Sequence, residues 1–169
     1  MSERDITSPT SLTLPNGRLN RDAVGWARRP LVDCAGLMRR PGRSWGRTKR
    51  WEYWLVVTPT HLLAQTVSAI DYAAVHEVWA YDRATGEHWG KAATVLPARD
   101  VVLPANLGGG LASGRAKDLD VEVRPLAAGT RLTAQLPEAS WAVTVTRPAD
   151  QNCLAVVVPW SDKRFQYTV

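Results

Sequence analysis

Phenylalanine is nearly missing from this chain of 169 residues: one Phe stands against four Tyr and eight Trp. Cysteine is scarce as well. Cys34 and Cys153 lie too far apart to form a metal motif or a disulfide framework. The histidines, His61, His76 and His88, are widely spaced and fall in strands or turns, so no metal site and no cofactor are expected. No apolar run is long enough to span a membrane. The opening MSERDITSPT is polar and lacks the apolar core of a secretion signal. The default compartment is therefore cytoplasmic, with both thiols reduced. The triple glycine in NLGGGLASG (106–114) has neither the GxxxxGK[ST] spacing nor the strand–helix context of a phosphate loop. It reads as a flexible surface loop.

What remains is apolar enough, at 45%, to build a core. Charge is unevenly placed within the net +5. Residues 18–50 hold ten basic and two acidic side chains, residues 51–169 ten basic and twelve acidic. The positive balance thus belongs to the N-terminal segment, which also carries four tryptophans between 16 and 54. Local positive charge attracts phosphates, carboxylates or an anionic membrane surface. Nucleic acid is disfavoured: the charge precedes the sheet, and a single-strand binder needs it around a stacking platform. Peripheral membrane contact and oligomeric state stay open.

Residues 1–15 read as a flexible leader and 16–169 as a single β domain. Asn16-Gly17 signals a turn, and Asn20 can cap one helical turn reaching Trp26. Pro30 and Pro41 then impose an irregular path. From Trp51 the period becomes two. WEYWLVVT (51–58) has aromatic and aliphatic residues on both faces, the pattern of a strand buried on both sides. Strands follow at 61–72, 75–82, 88–96, 101–103, 118–125, 130–136, 140–146 and 153–160, and RFQYTV begins another. In DLDVEVR, Leu119, Val121 and Val123 face one way, the charged residues the other. No amphipathic helix intervenes. The fold class is all-β, an antiparallel meander curling into a barrel or a two-sheet sandwich. Because FQYTV ends within a strand, an exposed edge, the chain reads as the front part of a longer protein.

The candidate ligand-binding residues are Arg28, Arg29, Trp45, Arg47, Lys49, Arg50, Trp51, Tyr53, Trp54 and Tyr72. In the strand from Arg50, Trp51 and Tyr53 share one face, Glu52 and Trp54 the other. A cationic, aromatic mouth of this kind can grip an anionic head group through Arg and contact an apolar tail. The plainer reading is Arg–Trp stacking that seals one end of the sheet. Arg28 and Arg29 either clamp a carboxylate or phosphate, or pair with Asp33 or Asp71. Asp71 is the weak catalytic candidate: a buried Asp can serve as a general acid, and an Asp at a strand end can equally be a turn residue.

The strings NGRLN (16–20), GWARRPLVDC (25–34), WGRTKRWEYW (45–54), IDYA (70–73) and RFQYT (164–168) resemble a bacterial family catalogued as domain of unknown function 2804. The resemblance runs along the whole chain. It implies a lipocalin-like β-barrel, or strongly curved sheet, related in fold to carotenoid hydratases and lipid-associated two-barrel proteins, with this chain as the N-terminal half. It transfers no catalytic residue. The expected function is a binding module for a hydrophobic or amphipathic small molecule, lipid or isoprenoid-like. The alternatives are a hydratase, cyclase or isomerase acting on an apolar substrate, and an interaction or scaffold protein docking an acidic partner through the basic segment.

Overall fold

Alternation with period two governs most of the observed structure, a computed structural model describing residues 3–38 and 45–169. Arg39, Arg40, Pro41 and Arg43 of the basic segment lie outside the described residues. In chain order the elements are β1 (Thr10–Ser11), β2 (Gly25–Ala27), β3 (Val32–Asp33), α1 (Ala35–Met38), β4 (Arg50–Val57), β5 (His61–Ala69), β6 (Ala74–Asp82) and β7 (His88–Val95). Then come β8 (Val101–Val102), β9 (Ala112–Ala116), β10 (Leu119–Leu126), β11 (Gly129–Gln135), β12 (Ser140–Thr146), β13 (Ala155–Ser161) and β14 (Arg164–Thr168). The fold is all-β, and every strand pairing is antiparallel except the short β1–β3 pair and a single Asp5–Trp26 bridge.

Contacts divide the chain into two compact units. The first draws on both ends of the chain: Met1–Arg43, Ala105–Leu107 and Ala149–Val169. Its sheet has the order β14-β13-β2, beside the β1–β3 pair. The expected helical turn is a 3-10 turn at Arg21–Ala23, capped by the Asn20 side chain accepting from the Asp22 amide. The core joins Ile6, Leu12, Leu19, Ala23, Ala27, Val32, Ala155 and Val157. The segment set apart as a leader thus contributes Ile6 and Leu12 to this core. Its apolar residues bury against β2, β3 and β13, and its backbone is tied by the Ile6 amide to the Trp26 carbonyl at 2.7 Å.

The second unit, Ser44–Pro104 and Gly108–Pro148, holds two open sheets. One runs β4-β5-β6-β7 and the other β12-β11-β10-β9-β8. Neither closes into a ring. Their inner faces share cores: Val67 and Val78 from the first sheet pack with Leu119, Val121 and Ala134 from the second. Trp54 and Val56 likewise pack on Ala112, Val123 and Leu132. Each fully buried aliphatic side chain of this kind contributes about 1.5–3 kcal/mol. The stretch 106–114, read as a loop, ends in strand β9, because Ala112 and Gly114 are needed on the inner face.

Among the described residues of this unit two polar side chains, Gln65 and His76, are buried. Gln65 donates to the Glu122 carbonyl and accepts from the Trp141 indole, both at 3.0 Å, so it joins the sheets with its amide satisfied. His76 is fully buried, and neither ring nitrogen has a hydrogen-bond partner among the described residues. It faces Gly114 so closely that a Cβ there would stand 2.1 Å from Nδ1. Gly114 is therefore a steric requirement of His76.

Gly114→Ala should destabilise the protein by about 1–3 kcal/mol or more, the usual cost of overpacking. Adding His76→Ala should recover part of that loss, because the clash partner is gone. Urea unfolding of the two single variants and the double variant measures this; additive losses would contradict it. Acid offers a second check. Burial pushes the His76 imidazole below its ordinary 6.5, with Asp100 pulling weakly the other way. The unfolded chain then binds the proton first, so stability falls as pH drops below about 6.5 towards the folded-state value. His76→Leu should flatten that limb between pH 7.5 and 5.5 in urea midpoints.

Candidate functional site

The sequence-predicted residues separate into distinct surroundings. Arg28 and Arg29 belong to the first unit and are exposed. The Arg28 guanidinium lies 5.2 Å over the Trp26 ring, and its carbonyl accepts from the Cys153 amide. Asp33 accepts from the Asn106 side chain at 2.8 Å and caps the Ala35 amide at 3.0 Å.

The other candidates lie in the second unit. Asp71 sits in the β5–β6 turn with φ +64°, and its Oδ2 accepts from the Arg47 and Thr48 amides at 3.1 and 3.0 Å. Asp is one of the few residue types that tolerate this backbone region, and its carboxylate fastens the approach to β4. Trp45 meets Tyr72 edge-on, with ring centroids 6.3 Å apart. Arg50 donates to the Leu103 and Pro104 carbonyls at 2.7 and 2.6 Å. Lys49 is exposed. Trp54 points inward and donates to Glu52 at 2.9 Å. Burial pushes the Glu52 carboxyl up, and the Trp54 bond offsets part of that.

Trp51 and Tyr53 take the opposite face, as alternation requires. Here the expectation of burial on both sides fails: Trp51, Tyr53, Leu55 and Val57 are 50–62% exposed. The register extends this face. Tyr53 stands opposite Thr66 and Thr66 opposite Glu77; Leu55 stands opposite Ala64 and Ala64 opposite Trp79. β5 thus contributes small side chains, Ala64, Thr66 and Ser68, between larger ones on β4 and β6. The result is a groove along β5.

Trp79 forms part of one wall, stacked on Tyr81 at 5.8 Å and 8°. Its Cδ1 lies 3.1 Å from where a Cβ at Gly90 would stand, so the missing side chain on β7 leaves that ring room. Tyr53, Ala64, Thr66, Glu77 and Trp79 line a shallow hollow in the groove. Its lining contains no basic residue. Ala64, Thr66, Glu77 and Trp79 escape a reading of single strands, since only the register of three strands brings them beside Tyr53.

The outer face of the other sheet is different. Asp120, Glu122, Arg124, Arg131, Thr133 and Gln135 occupy it, with Arg124 paired to Glu122 at 2.8 Å. That face is solvated in the ordinary way.

Among the described residues no group of three or more His, Cys, Asp and Glu could hold a metal ion. No described helix is long and apolar enough to cross a membrane. A family model described as "Domain of unknown function (DUF2804)" matches residues 3–169, and the chain belongs to that family. No curated protein and no solved structure matches it.

Asp71→Ala removes both amide contacts and places a Cβ-bearing residue less tolerant of positive φ in the turn. It should cost about 1–3 kcal/mol, read as a lowered thermal midpoint; Asp71→Gly should recover the backbone share of that loss.

Proposed function

We propose that this member of the domain of unknown function 2804 family is a binding module for an extended apolar or amphipathic small molecule. The ligand lies along the groove on the outer face of the β4–β7 sheet. One observation carries the reading: within a single unit, one sheet turns a polar face outward and the other an apolar, aromatic one. Four strands of about eight residues span roughly 500 Å² before side-chain relief is counted. Apolar and aromatic residues hold most of that face, which Thr66, Ser68, Glu77, His88 and Thr94 interrupt, and apolar patches of a few hundred Å² are often functional.

The groove's shape favours a chain-like ligand. The backbones of β4 and β6 are about 10 Å apart across β5. Small residues floor that interval, and Trp51, Tyr53, Val75 and Trp79 rise on its sides. A hydrocarbon chain laid there contacts both walls and displaces water from the exposed rings. The interior between the sheets is occupied by side chains, so uptake on the outer face is the simpler route.

Asp71 lends little to an enzymatic reading, because Oδ2 is engaged by two backbone amides.

Titrating the chain with decanol, a neutral chain-like probe, should shift tryptophan fluorescence saturably. Thr66→Phe fills the floor with a residue suited to a strand and leaves the inner face untouched. It should abolish the shift while the thermal midpoint stays within a few degrees. Unchanged binding in Thr66→Phe would rule out the groove.

A further inference from the structure

Resting on that groove, we infer that its ligand carries an organic cation, an alkylammonium or quaternary ammonium group, seated in the hollow between Tyr53, Glu77 and Trp79. Across the sixteen outer positions of β4–β7, Glu77 is the single acidic residue, and no Lys or Arg occurs among them. Glu77 is exposed, and no described Lys, Arg or His comes within ion-pair distance of it. It stands beside Trp79 on the same strand and lines one hollow with Tyr53. A carboxylate sharing a hollow with Trp and Tyr side chains supplies what holds a quaternary ammonium: aromatic quadrupoles that attract the cation, and a countercharge.

Size agrees with a head group. The hollow measures about 210 Å³, below the range of about 300–1,000 Å³ usual for pockets that engulf a whole small molecule. It can take one compact group while the remainder of the ligand follows the groove. Two other occupants fit less well. An anionic head group would meet Glu77 with no Lys or Arg on the face to offset it; the basic group there, His88, stands at the far end of β7 opposite Tyr81. A second copy of this face would bury two Glu77 carboxylates in an apolar interface that offers no Lys or Arg to pair with them.

The experiment compares three amphiphiles of one tail length, each below its aggregation threshold: decyltrimethylammonium, decanol and decanoate. Calorimetry reads their affinities for the unmodified chain and for Glu77→Gln. Decyltrimethylammonium should bind about ten-fold more tightly than decanol, with decanoate weakest. Glu77→Gln should erase the preference and leave decanol unchanged. Tyr53→Leu, which keeps an apolar wall, should weaken the cation more than the alcohol. Equal affinities for cation and alcohol would overturn the inference while leaving the groove intact. A preference that survives Glu77→Gln would overturn it as well, and no binding by any of the three would overturn both readings.

Discussion

The second unit depends on one close approach: the imidazole of His76 lies where any side chain at residue 114 would have to be. With Gly114 in place the inner faces of the two sheets pack together, and Gln65 ties them by its two hydrogen bonds. Val67 and Val78 can reach Leu119 and Val121 only when the sheets sit at the distance the His–Gly contact permits. The cost is an imidazole with no hydrogen-bond partner among the described residues, an expense a buried polar group imposes whenever packing takes precedence.

Fixing the inner faces also decides what the outer faces can be. In strands with period two, each residue set inward leaves its neighbours outward. On β10 and β11 those neighbours are Asp120, Glu122, Arg124 and Arg131, ordinary solvated side chains. On β4 they are Trp51, Tyr53, Leu55 and Val57. Solubility gains nothing from that row, and the inner packing does not require it, since Glu52, Trp54 and Val56 supply the inward set. The apolar row therefore needs an explanation separate from folding, and the groove provides one.

Strand positions were legible because WEYWLVVT is a run of strand-favouring residues, because the alternation in DLDVEVR is undiluted, and because Pro59-Thr60 and Asp82–Gly86 punctuate them. The faces of Trp51, Tyr53, Glu52 and Trp54 followed from parity alone. Three things were not legible. Ile6 and Leu12 look like isolated residues in a polar leader until β2, β3 and β13 bring a surface to them. Gly114 reads as loop because glycine is common in turns, and nothing in its local string shows that His76 stands against it. The groove could not be seen at all, since no single strand contains it. Tyr53, Thr66 and Glu77 become neighbours only through two registers.

The distribution of charge points the same way as the groove. The basic segment gives the chain its positive balance and drew attention as an anion clamp, yet Arg50 is engaged by the Leu103 and Pro104 carbonyls and Arg28 by Trp26. The hollow itself holds one charge, and it is negative. A cation approaching a chain of net charge +5 gains no long-range steering, since the net field is of like sign and salt screens it beyond about one Debye length of ~8–10 Å. On the proposed reading, recognition comes from contact terms: aromatic rings, a carboxylate and displaced water, all short in range. Such terms discriminate by shape and local charge rather than by net charge, which fits a site built from sheet register more than one built from a flexible basic loop.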